Sequence, residues 1–162
     1  MFKIERQCGQ FVEDTALTLQ PAGAVYYAVD EADVRRIVAR PLTMIGSDRL
    51  AHDARLHPRL WGTCARVLGH RARDENLFSL PSVIHKMTVL PVSRFGLKAR
   101  GLIKVGAFAN VVLFDPARTI DRAPYADPDA ASQSIVKVWV NGALACADGE
   151  VFNAKAGHGP RH

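Results

Sequence analysis

The sequence has 162 residues, 48% of them hydrophobic and 23% charged, enough for one domain with a real core but not for two large ones. No stretch approaches the roughly 18 uninterrupted apolar residues of a membrane helix, and MFKIERQCGQFVEDT has no apolar signal core, so a cytoplasmic protein is expected. The net charge of +5 comes from arginines scattered along the chain, without the dense basic runs or aromatic interleaving of a nucleic-acid surface; they read as solvated faces.

In chain order, residues 1–21 are weakly patterned and end in a loop at Gln20-Pro21-Ala22-Gly23. The apolar run Ala24–Val29 reads as a buried strand. Asp30 is then a plausible N-cap for a helix carrying Val34, Ile37 and Val38 at helical spacing and stopped by Pro41. LTMIGSD follows as a second strand, near 42–47, so that strand, helix and strand make a βαβ unit. A polar loop over 46–60 leads to Trp61–Arg73, with Trp61, Ala65 and Leu68 at helical spacing. Another helix starts at Ser79, runs through Val83, Ile84 and Met87, and closes before Pro91.

From Gly101 the pattern turns to strands: 102–106, 109–115, and the alternating run Ile135–Val140. Asn141-Gly142 is a type I′ hairpin signal before Ala143–Cys146, and Asp148-Gly149 marks one more turn. The tail KAGHGPRH is glycine-rich and expected to fray. The pattern therefore divides at about residue 100 into an α/β part (1–100) and a small β part (101–162). Cys8, Cys64 and Cys146 are odd in number and far apart, which excludes a C-x-x-C zinc ribbon; each reads as a small buried hydrophobe.

In parallel α/β barrels the chemistry gathers where strands end. Asp48 closes an apolar run at such a place, yet Gly46-Ser47-Asp48 is also ordinary turn composition, and pattern alone favours the turn. Likewise His57, standing before Pro58, can simply hold an extended loop.

MIGSD, HPR and WGTCARVLG, followed by HKMTVLPVSRFGLKARGLIKVGAFANVVLFDP and VKVWVNGALACADGE, occur in an order that resembles the N-acyl-D-amino-acid deacylases (D-aminoacylases) of the amidohydrolase superfamily, over roughly residues 22 to 156. The resemblance implies a zinc-dependent amidase on a (β/α)₈ barrel with an attached small β-sandwich domain. It implies that Asp48 ends the eighth strand, contacts the metal through its bound water and serves as the general base. It places Arg59, of HPR, against the substrate's α-carboxylate, where a planar guanidinium suits a bidentate contact, with His57 beside it in the substrate-binding loop, chiefly shaping that loop. Two positions depart from the family pattern: Arg49 stands where glycine is usual, at the mouth of the site, and Asn110 where aspartate is usual.

The superfamily's metal-binding His-x-His pair is missing: the six histidines, at 52, 57, 70, 85, 158 and 162, include no such pair. A complete barrel of this type also takes roughly 250 residues. The expectation is thus an incomplete barrel, the last strands and helices of the amidohydrolase (β/α)₈ fold followed by part of the β-sandwich. On that reading the chain is inactive and binds no zinc by itself, and its N-acyl-D-amino acid substrate belongs to the parent enzyme. Neither a nucleic acid nor a membrane is expected as partner; self-association or a complementing N-terminal chain is. The alternatives are a non-catalytic interaction or structural module with a vestigial site and, less favoured, a cyclic amidohydrolase of the dihydroorotase or hydantoinase kind.

Overall fold

The computed structural model describes Asp14 and residues 29–47, 57–153 and 155–159. Cys8, Asp48, Arg49, His52 and His162, and all but the last residue of the expected strand Ala24–Val29, lie outside the described residues. The chain divides into two units, Met1–Val34 and Arg35–His162.

In the first unit Asp30 is the helix start read from the sequence: its Oδ1 accepts from the Ala32 N–H at 2.8 Å, and its carbonyl accepts from the Val34 N–H at 3.0 Å. Helix α1 (Glu31–Ala39) follows, with Glu31 and Asp33 in its first turn, where the macrodipole favours carboxylates. Its apolar stripe is not buried, however: no residue of α1 is buried and Ile37 is 53% exposed.

The second unit holds the rest of α1, from Arg35, and the remaining elements. Helix α2 (Arg59–Arg66) widens without a break into a π-helical stretch, Val67–Asp74, which ends with the Glu75 N–H bonded five residues back to the His70 carbonyl at 2.9 Å. Periodicity foresaw the helix over 61–73 but not its change of pitch. Helix α3 (Leu80–Met87) opens at Ser79, the start read from the sequence, which acts as its N-cap, the hydroxyl accepting from the Ser82 N–H. Thr88 breaks it at φ −126°, ψ −82°, and the short helix α4 (Val89–Arg94) continues beyond. Pro91 therefore does not end the helical region. It sits in the first turn of α4, where no N–H is required.

Two expected strands are absent. Residues 102–106 form bends and turns, and residues 42–47 run outside any ladder. The only backbone bond from an N–H of 44–47 to another element, among the described residues, goes from Ile45 to the Lys86 carbonyl of α3 at 3.3 Å. A barrel strand is defined by flanking strands, and none of the described strands pairs with this segment.

The β part is a four-stranded antiparallel meander, in the order β1 (Val111–Phe114), β2 (Ile135–Val140), β3 (Ala143–Ala147) and β4 (Glu150–Val151). The β2–β3 connection is the foreseen Asn141-Gly142 turn, with φ of 50° and 83°, as a type I′ turn demands. Asn110, where the family pattern favours aspartate, has a structural role here: its Oδ1 accepts from the Asn141 N–H at 2.8 Å.

The core lies between the π-helical stretch and α3, with Phe114 of β1 against it. Leu68, Ala72 and Val83 are buried together, and Val67, Phe78, Ile84, Met87 and Phe114 pack against them. Gly69 makes this approach possible. A Cβ there would stand 2.3 Å from the Thr119 carbonyl oxygen, so a larger residue would push the 115–121 turn off the helix. Thr119 is fully buried, and its hydroxyl donates to the Asp115 carbonyl at 2.6 Å, closing that turn on itself. Arg73 fastens the turn to the π-helical stretch by donating to the Thr119 carbonyl at 2.8 Å.

Candidate functional site

The described part of the site is built on the first turn of α2. Pro58 is the N-cap residue and offers no side-chain hydrogen bond. His57, one residue earlier, does the capping: its Nδ1 accepts from the Arg59 N–H at 3.0 Å, satisfying one of the donors a helix start leaves open. Because Nδ1 is an acceptor, the ring is neutral and carries its proton on Nε2. That nitrogen faces the Tyr125 hydroxyl at 3.1 Å, and the two rings meet edge to face with centroids 5.1 Å apart.

The other end of the Arg59 peptide is held as well. Its carbonyl accepts from the Ser47 hydroxyl at 2.8 Å and from the Thr63 hydroxyl at 2.6 Å. The Arg59 backbone is thereby fixed at both ends, while the residue itself is exposed. The Ser47 contact also ties the end of MIGS to the HPR segment, although the two are 12 residues apart in sequence.

The segment leading to Ser47 is anchored on α3. Lys86 is 3% exposed and donates through Nζ to the carbonyls of Arg40 and Thr43, the latter at 3.1 Å. Burial holds its pKa below the usual lysine value. Of the residues singled out in the sequence, Arg59 and His57 are thus brought together, and Asp48 lies outside the described residues. No local pattern marks the contacts of Ser47, Lys86 or Tyr125: an isolated serine, lysine or tyrosine has no periodicity, and Tyr125 meets a residue 68 positions away. Cys64 corrects a further expectation, being exposed on α2 rather than buried, although its surroundings still desolvate the thiol enough to push its pKa up. Cys146 is half-buried.

Among the described residues, no three His, Cys, Asp or Glu side chains lie together in a way that could hold a metal ion, so these residues do not by themselves fit one. No helix among them is long and apolar enough to cross a membrane.

The profile of the Amidohydrolase family matches residues 14–145, and the chain belongs to that family. It is 50% identical over 141 residues to a D-aminoacylase of Alcaligenes xylosoxydans xylosoxydans, a match covering 87% of this chain and 29% of the relative. An N-acyl-D-glutamate deacylase of the same organism is 50% identical over 127 residues, 78% of this chain and 26% of that one. Among solved structures, a crystal structure of D-aminoacylase superimposes with a TM-score of 0.89 at 46% identity, covering 96% of this chain and 33% of the other. An N-acyl-D-glutamate deacylase from Bordetella bronchiseptica, complexed with zinc and a phosphonate mimic of the tetrahedral intermediate, superimposes with a TM-score of 0.84 at 44% identity, over 91% of this chain and 31% of that one. A further D-aminoacylase structure concerns its binuclear metal centre. The fold is therefore that of an amidohydrolase with mixed α and β content, and the chain spans about a third of the length of the relatives it matches.

Proposed function

We propose that this chain is the C-terminal third of an N-acyl-D-amino-acid deacylase, hydrolysing the amide bond only when the remaining barrel is present. On this reading residues 1–100 are the closing part of the (β/α)₈ barrel and residues 101–162 part of the small β domain. The observation that carries the reading is the fixing of Arg59. With its peptide held by His57, Ser47 and Thr63, the residue presents a guanidinium from a rigid helix start, as bidentate pairing with a substrate carboxylate requires.

Each residue then has a distinct task. Arg59 binds the α-carboxylate of the N-acyl-D-amino acid, and His57 holds the loop from which it reaches. Asp48, next in sequence to Ser47, accepts the proton of the attacking water and returns it to the departing amine. No three His, Cys, Asp or Glu among the described residues form a group that could hold the zinc of the parent family, so the rest of the barrel would have to supply ligands.

The test is a chimaera in which this chain replaces the matching third of the Alcaligenes D-aminoacylase. It is expected to hydrolyse N-acetyl-D-amino acids, whereas the chain by itself is not. In the chimaera, Asp48→Asn should lower kcat by roughly 10²- to 10⁴-fold. Arg59→Ala should raise KM by roughly ten- to a hundred-fold, the loss of one or two charge-assisted hydrogen bonds. An inactive chimaera, or one indifferent to Asp48→Asn, would overturn the proposal.

A further inference from the structure

Between β1 and β2 the chain makes a long excursion, 115–134, and part of it lies along α2. Asp121 packs on Gly62, where a Cβ would stand 3.0 Å from the Asp121 Cβ, and its Oδ2 pairs with Arg66 at 3.3 Å. The Ser132 hydroxyl donates to the Trp61 carbonyl at 3.3 Å. Gln133 is bridged to Ile120, its N–H donating to the Ile120 carbonyl at 2.9 Å, and its side-chain oxygen accepts from Arg122 Nε at 2.7 Å, so the two legs of the excursion are joined at their base. Tyr125 stands between those legs, and its hydroxyl and ring meet His57, just before the start of α2.

From this geometry we propose that Tyr125 is a positioning residue for substrate binding: it holds His57 in the Nε2–H tautomer and orientation in which Nδ1 caps the Arg59 peptide, and so sets the direction of the Arg59 side chain. The proposal rests on the deacylase reading for what Arg59 binds. It goes beyond that reading by assigning to the β part of the chain a share in aiming the carboxylate clamp.

The chemistry behind this is directional. A neutral imidazole can cap the Arg59 N–H only through an unprotonated Nδ1, so its other nitrogen must donate. The Tyr125 oxygen is the acceptor found at that nitrogen, 3.1 Å away, and the edge-to-face contact limits rotation of the ring. Tyr125 is 53% exposed and adds nothing to the buried core, so replacing its hydroxyl leaves the fold intact.

The chimaera described above serves as the test, with Tyr125→Phe measured in two ways. Loss of one hydrogen bond should raise KM for N-acetyl-D-amino acids by roughly three- to ten-fold, with kcat changed less than about two-fold, since the clamp touches the carboxylate and not the reacting amide. Hydrogen exchange followed by mass spectrometry should show faster exchange in the peptide that contains the Arg59 amide, with the helical peptides after it unchanged. A KM equal to that of the parent, or a fall in kcat alone, overturns the proposal, as does unaltered exchange at Arg59. A parent chimaera that hydrolyses nothing would count against the deacylase reading only. The exchange measurement would then still decide whether Tyr125 holds the Arg59 peptide.

Discussion

Lys86 combines burial with charge in a way that titration can reveal. Its ammonium donates to two carbonyls, at Arg40 and Thr43, and lies 5.9 Å from the centre of the Phe78 ring. Hydrogen bonds from a charged donor contribute about 1.5–3 kcal/mol, so Lys86→Met, which leaves both carbonyls unanswered, should destabilise the fold by about 2 kcal/mol or more. Urea unfolding of the chimaera would register this as a lower midpoint. Desolvation lowers the folded-state pKa below the ordinary 10.5, while the unfolded chain keeps that value. Between the two the unfolded state binds more protons, so stability should rise with pH as 10.5 is approached from the lowered value, a slope Lys86→Met would lack. A slope of the opposite sign would show that the carbonyl contacts outweigh desolvation.

The β2–β3 hairpin is the element whose sequence and structure agree most closely, and Asn141 serves it in two ways. Its φ of 50° lies in the left-handed region that asparagine tolerates, and its Nδ2 donates to the Ala156 carbonyl at 2.7 Å and faces His158 Nδ1 at 2.7 Å. Substitutions can separate these contributions. Asn141→Gly should keep the turn and lose only the side-chain bonds, at about 1 kcal/mol, whereas Asn141→Ala adds backbone strain of about 1 kcal/mol or more. Equal melting temperatures for the two variants would mean that strain is not a factor. Asn110→Asp restores the residue usual in the family and keeps an acceptor for the Asn141 N–H, so it should be nearly neutral, while Asn110→Leu should cost about 1–3 kcal/mol.

On the scale of the fold, the described residues enclose little apolar surface. Among the described residues the buried hydrophobic side chains are Ala65, Leu68, Ala72, Val83 and Ala123, whereas Leu42, Ile103, Val105 and Val151 are 83%, 92%, 104% and 71% exposed. Ile103 and Val105 lie in the segment read as a strand from its apolar residues, and the reading failed there for the same reason: apolar residues make a strand only where a neighbouring strand or face receives them. The loss of the strand at 42–47 has the same origin. Features settled within a few residues, such as the Asp30 and Ser79 caps and the Asn141-Gly142 turn, were legible because their partners are close in sequence. Contacts such as Ser47 with Arg59 or Lys86 with Arg40 depend on tertiary packing and leave no local trace. Exposed apolar surface of this kind should make the isolated chain self-associate. Sedimentation velocity should show oligomers or aggregates for the chain and a discrete species for the chimaera; a stable monomeric chain would contradict this.

The π-helical stretch Val67–Asp74 also bears on which sequence changes this chain can absorb. A turn closed by a bond to the fifth residue back holds one residue more than an α-turn. Losing one residue inside the stretch can be taken up by a return to α-helical pitch, whereas losing one from α2, before it, would swing all that follows by about 100° around the axis. Arg73 would turn away from the Thr119 carbonyl, and Glu75 from Arg35, with which it pairs at 3.5 Å. Single-residue insertions and deletions, usually confined to surface loops, are therefore coupled in α2 to the docking of the β part, and the length of this helix is under tighter constraint than its composition.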